Sequence, residues 1–233
     1  MTIKGPALLF VDGIDGSGKS TLASALHDQL QASGVRTAVL HVDDFRKPVD
    51  WQAAGAMQAE AYYNVYYDLL TLDLVLEALT SGHPDVRVPK FHEGESPLWS
   101  VMEASGVQLV IVEGIFTQRL SMATQAALLY VDASWATTRD RILLRDQAKG
   151  RSYAEVTMRI DERYFPGQRR YETECGPRKK AHWLATPDQG PGRQSFRIQR
   201  TKVALPWPNK LTAEIARAFC QLFTVNAIDR SHS

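Results

Sequence analysis

A chain of 233 residues with 44% hydrophobic and 23% charged residues has ordinary globular composition, which excludes a disordered or fibrous class and allows one sizeable core. Its 27 basic and 26 acidic residues leave a net charge of +1, so no global field collects a polyanion such as nucleic acid, and any phosphate binding has to be local. No apolar run approaches the roughly 20 residues that span a bilayer. The expectation is a cytoplasmic protein with neither membrane nor nucleic acid as partner, the question of a homo-oligomer being left open.

Strand-length apolar runs alternate with segments of helical period, the pattern of an α/β sheet. Ala7 to Val11 is the first run, followed after Asp12 by Gly13-Ile-Asp-Gly-Ser-Gly-Lys-Ser20 and then by a helix with Leu22, Ala25, Leu26 and Leu30 on one face. Strand, glycine loop and helix is the context that the G-x-x-x-x-G-K-[ST] pattern requires. Glycines let successive N–H groups turn inward on an anion, and the helix adds the positive end of its dipole. The ATP-binding set predicted here is Gly13, Asp15, Gly16, Ser17, Gly18, Lys19, Ser20 and Thr21. Lys19 meets the β- and γ-phosphates, and the Ser20 hydroxyl ligates Mg²⁺.

Further buried-strand runs, Thr37 to Val42, Leu109 to Val112 and Leu128 to Val131, each end at an acid: Asp43, Glu113 and Asp132. Parallel strands ending in acids suggest one functional edge. Glu113 has the placement expected of a second metal residue or an acceptor contact, and Gly114 permits a tight turn beside it. Between these runs, Tyr62 to Leu79 keeps a period of about 3.6 residues and predicts one helix ending at Gly82. Asp85 to His92 alternates like an edge strand, with Pro89 limiting its pairing. Arg139 to Arg163 reads as helix, hinge at Lys149-Gly150-Arg151, and helix; Thr186 to Arg193 reads as a loop, and Leu211 to Phe223 as the last helix. The organisation expected is one domain over 1–185 with a mobile appendage over about 139–171, and a C-terminal loop and helix over 186–233 packing on the same domain.

Four landmarks in this order resemble the uridine kinase branch of P-loop kinases, which includes phosphoribulokinase, bacterial pantothenate kinase and nicotinamide riboside kinase. They are the glycine loop with its lead-in, Asp43-Asp44-Phe45, Glu113-Gly114-Ile115, and Arg145-Asp146 followed by Gly150-Arg151. The resemblance spans roughly Leu8 to Leu184. It implies a P-loop NTPase fold, a doubly wound, mainly parallel sheet with helices on both faces and a helical lid. The implied activity is transfer of the γ-phosphoryl group of Mg-ATP to a hydroxyl, that of a nucleoside first.

The same resemblance assigns the acceptor base to Asp43, with Asp44 as the adjacent alternative, since a carboxylate there can take the hydroxyl proton. Lid arginines are implied at Arg145 and Arg151, with Arg139 and Arg141 as further candidates; a guanidinium is planar and bidentate toward phosphate. Acceptor contacts carry over to Asp68, Phe91 and His92. The chain departs from the nucleoside-kinase pattern at Arg46, at His92 and at His182-Trp183. Arg46 and Lys90 near the acceptor suggest the alternative of a non-nucleoside alcohol bearing a carboxylate or phosphate. Another alternative is a nucleotide-binding regulator with weak ATPase activity.

Overall fold

The computed structural model describes residues 5–91, 97–188, 195–207 and 209–226. Strand β1 (Ala7–Asp12) is buried along nearly its whole length, and its alternate side chains serve two different cores. Leu8 and Phe10 pack with Tyr62, Leu72, Leu76 and Tyr171. Leu9 and Val11 pack with Leu22, Leu26, Leu30 and Trp183. A strand has a side-chain period of two, so a continuous apolar run means that both faces are covered.

Helix α1 (Lys19–Ala32) covers the second face, and β2 (Thr37–His41) follows it into the sheet. The expected single helix from Tyr62 to Leu79 is divided. After a short turn, α2 (Trp51–Ala54), come α3 (Gln58–Asn64) and α4 (Leu69–Thr80), with Tyr66 and Tyr67 in the break between them. The cause is partly local and partly tertiary: Asp68 caps α4 by accepting from the Thr71 N–H, and Arg46, from the turn after β2, bridges to Tyr67. A new N-terminus thus starts inside the continuous apolar period.

Strands β3 (Asp85–Lys90) and β4 (Leu98–Glu103) form a separate antiparallel ribbon, with Pro89 opposite Trp99. Strands β5 (Leu109–Glu113) and β6 (Ala127–Val131) return to the main sheet on either side of β1. Helices α5 (Trp135–Ala148) and α6 (Tyr153–Met158), a π-helical turn at Arg159–Tyr164, and α7 (Phe165–Cys175) then fold over the carboxyl edge. They pack among themselves through Ile142, Val156, Ile160 and Phe165.

The chain closes through the short α8 (Pro177–Lys180), β7 (Trp183–Pro187), β8 (Phe196–Arg200), α9 (Asn209–Leu222) and β9 (Thr224–Asn226). The main sheet runs β2-β5-β1-β6-β7-β8-β9; its first five strands are parallel, and β8 pairs antiparallel with β7. The fold is therefore the doubly wound, mainly parallel α/β class that the sequence predicts. The residue-185 boundary falls inside β7, because Thr186 and Pro187 pair with β8 instead of opening a loop. Ile215, Ala218 and Phe219 of α9 enter the core shared with α1.

Candidate active site

The carboxyl ends of β1, β2 and β5 lie side by side, His41 pairing in register with Glu113 and Val11 with the same residue. That edge carries the glycine loop. Gly18 caps α1 with φ of 105°, a left-handed conformation that an L side chain resists. Lys19 is buried, donating from Nζ to the Ile14 carbonyl at 3.0 Å and lying 3.7 Å from Asp15 Oδ1. The loop is braced from outside. Arg141 donates to the Gly16 and Ser17 carbonyls, and Gln168 and Tyr62 both donate to Asp15 Oδ2 at 2.9 Å.

A cleft of about 190 Å³ is lined by Asp15, Gly16, Gly18, Lys19, Ser20 and Thr21 of this loop together with Asp43, Glu113, Gly114 and Arg145. Gly13 and Ser17, included in the sequence-based set, do not line it; Ser17 is fully buried and Gly13 donates its N–H to Asp12. Ser20 Oγ lies 3.1 Å from Glu113 Oε2. Both are hard oxygen donors of the kind Mg²⁺ takes, and such an ion keeps its other positions for phosphate oxygens and water. The residues therefore fit the ion. His41 Nδ1 sits 2.6 Å from Glu113 Oε1, and this hydrogen bond raises the imidazole above its ordinary pKa. Gly114, with φ of 153°, leaves no room for a Cβ: one built there would stand 2.4 Å from Val42 Cβ.

Asp43 stands on a 3₁₀ turn directly after β2, with its side chain 62% exposed at the cleft. Its Oδ1 accepts from the Tyr67 hydroxyl at 3.1 Å. Asp44, the adjacent candidate, points away and is occupied by Lys90 Nζ at 3.0 Å and the Phe91 N–H at 3.3 Å. Lys90 accordingly pairs with Asp44.

Asp43 and Arg145 also line a second, larger cavity of about 840 Å³, with Arg46, Trp51, Tyr66, Phe91, Arg151, Arg159, Arg163 and Tyr164 among its walls. Arg145 and Arg151 both approach the buried Asp146, at 2.7 and 3.4 Å. Arg139 is instead spent on Asp161 within the α5–α7 segment. The Arg46 guanidinium lies 4.1 Å from the Phe91 ring centre, so one face of that ring is already stacked. Asp68, expected in the acceptor pocket, is absent from the lining; it caps α4 and pairs with Lys47 at 3.7 Å. His92 lies outside the described residues. His182 serves the fold: its Nδ1 accepts from the Leu128 N–H at 2.9 Å, and burial lowers its pKa.

Sequence reading missed Tyr67, His41, Trp51, Arg159 and Arg163. Only His41, next to the acid at the end of β2, carried a signal at its position; the others depend on the break before α4 and on the π-helical turn.

With this geometry in place, comparison with known proteins locates the fold. Residues 5–60 match the family model described as adenylylsulphate kinase. No curated protein matches. Among solved structures, a protein described as a possible uridine kinase from Bacillus stearothermophilus superposes with a TM-score of 0.61 at 21% identity, over 79% of this chain and 90% of that one. Phosphoribulokinase from Rhodobacter spheroides superposes with a TM-score of 0.59 at 18% identity, over 80% of this chain and 71% of that one. The chain has the P-loop kinase fold, and its resemblance to the uridine kinase and phosphoribulokinase group holds at that level. Among the described residues no helix is long and apolar enough to cross a membrane.

Proposed function

We propose that the protein is an ATP-dependent phosphotransferase that moves the γ-phosphoryl group to a hydroxyl of a small molecule held in the larger cavity. The observation that carries this reading is the position of Asp43, which lines both the phosphate-loop cleft and the larger cavity. A base in that position can accept the acceptor's proton as its oxygen bonds to phosphorus and the bond to the β-phosphate oxygen breaks. Tyr67 aims the carboxylate, and the loop N–H groups with Lys19 hold the triphosphate. Arg145, shared by both openings, faces the position of the transferring group, and Arg151 approaches from the α5–α7 segment. Mg²⁺ held by Ser20 and Glu113 would offset charge on the β- and γ-phosphates.

The nucleoside reading has support in the aromatic walls Trp51, Tyr66, Phe91 and Tyr164, which suit a ring-bearing acceptor. The reading with a charged alcohol is favoured by Arg46, which occupies one face of Phe91. ADP release from Mg-ATP, measured across uridine, cytidine, nicotinamide riboside, pantothenate and ribulose 5-phosphate, tests the proposal. Stimulation by an acceptor that is lost in Asp43→Asn supports it; bound ATP with no stimulation by any acceptor favours a nucleotide-dependent regulator.

A further inference from the structure

The larger cavity holds a cation that the mechanism above does not use. Arg163 is only 4% exposed. Its Nε and Nη2 both donate to one neutral oxygen, Gln58 Oε1, at 3.1 and 2.8 Å, and its guanidinium lies 3.5 Å from the Trp51 ring centre. No ion pair joins it to a carboxylate among the described residues, whereas the neighbouring arginines and Lys47 have theirs: Arg46 with Asp43, Lys47 with Asp68, Arg145 and Arg151 with Asp146, and Arg159 with Glu155; Lys149, also in the lining, is exposed to water.

A guanidinium withdrawn from water is costly unless an anion is supplied. Here the protein supplies an amide oxygen, the Tyr164 side chain and an aromatic face; the ring attracts the cation, but none of the three is a carboxylate. Arg159 lies four positions earlier, on the same side of the turn. It lines the same cavity, and its Nε is buried without a hydrogen-bond partner. Both arginines belong to the π-helical turn Arg159–Tyr164, a wide turn frequent at functional sites. Arg163 and Arg159, the second paired with Glu155 on one side, stand together in the wall of a cavity of about 840 Å³ that Asp43 also lines.

We propose that the acceptor is an anionic alcohol, whose phosphate or carboxylate group is bound by Arg163 and Arg159 while its hydroxyl faces Asp43. This inference rests on the phosphotransferase reading for the role of Asp43. The anion completes the ion pair that the fold leaves open, and the aromatic faces of Trp51 and Tyr164 flank the body of the molecule. Planar, fixed donor pairs suit an oxyanion better than a neutral ring.

The test is equilibrium binding in the presence of saturating Mg²⁺ and a non-hydrolysable ATP analogue, which fills the phosphate loop and removes it as a competing anion site. Matched pairs differing only in the anionic group are compared: uridine with uridine 5′-monophosphate, ribulose with ribulose 5-phosphate, and pantothenol with pantothenate. The first two pairs report a phosphate and the third a carboxylate. The expectation is that within at least one pair the anionic member binds tenfold or more tightly than the neutral one. Arg163→Gln should reduce that preference at least tenfold with the affinity for the ATP analogue unchanged. Because Arg163 is buried, Arg159→Gln provides a second variant with the same expectation and less risk to folding. Equal affinities within every pair, absence of binding by every anionic member, or a preference that survives both substitutions overturns the proposal. Binding needs no turnover, so this result stands apart from failure of the phosphotransferase reading, which would appear as ADP release that no acceptor stimulates.

Discussion

The Tyr67 hydroxyl donates to Asp43 Oδ1 at 3.1 Å from a position inside the break between α3 and α4. The ring is buried and edge-on to Phe116, so the hydroxyl is held in place. The other oxygen, Oδ2, stands 3.9 Å from Arg46 Nη2, beyond hydrogen-bond reach, so it can still take the acceptor's hydroxyl proton. If Asp43 is the base, Asp43→Asn lowers kcat by about 10²–10⁴-fold while ATP affinity stays near its original value. Tyr67→Phe, which removes only the orienting hydroxyl, lowers kcat less and leaves the KM for ATP unchanged. Steady-state kinetics with both substrates varied checks both outcomes.

Ser20 and Glu113 meet across the cleft, and the metal role proposed for them predicts a phenotype. Glu113→Gln raises the Mg²⁺ concentration needed for half-maximal activity, and Ser20→Ala weakens binding of Mg-ATP more than binding of ATP in chelator. Titration of Mg²⁺ against rate, with nucleotide affinity measured with and without the ion, separates the two effects. Unchanged Mg²⁺ dependence in both variants would remove these residues from the metal site.

Gly114 tests the packing behind the site. A methyl at this position collides with the Val42 side chain, which is fully buried and adjacent to Asp43. Overpacking of this kind costs about 1–3 kcal/mol, and the positive φ adds to it. Gly114→Ala should lower Tm and also displace Glu113 and Asp43, so that kcat falls further than the loss of folded protein accounts for. Thermal unfolding and activity per folded molecule are the two measurements.

Asp12, fully buried at the end of β1, predicts a pH dependence. Burial pushes its carboxyl up to about 6 from 3.8, against hydrogen bonds from Thr117, Tyr171 and the Gly13 N–H that favour the anion. The folded state therefore holds a proton that the unfolded state has released between about pH 4 and 6, and this group's contribution to stability falls as pH rises through that window. A shift of about two units corresponds to roughly 3 kcal/mol across it. Denaturant unfolding from pH 4 to 7 should show the decline in the original protein and a flatter profile in Asp12→Asn.

The sheet and the phosphate loop were legible because their signals are local. Continuous apolar runs announce strands covered on both faces, and the loop's eight residues carry their own conformational requirements. Asp43 and Glu113 were legible as acids closing such runs. The larger cavity was not, because its walls depend on two irregularities that periodicity hides. One is the break before Asp68, where a capping side chain interrupts a continuous apolar pattern and turns an expected pocket residue into a helix cap. The other is the π-helical turn, which brings Arg159 and Arg163 to the cavity although in sequence they look like charges on a solvated helix. Trp51, on the four-residue helix α2, meets Arg163 only through tertiary packing.

The most direct test of the central claim is ADP release from Mg-ATP by the intact protein, with and without each acceptor, measured in parallel for Asp43→Asn. At least one alcohol is expected to stimulate release with equimolar formation of its phosphate ester, and the variant to bind ATP but lose the stimulation. Stimulation of equal size in Asp43→Asn would contradict the assignment of the base, and ATP binding that no alcohol converts to ADP release would contradict the phosphotransferase itself.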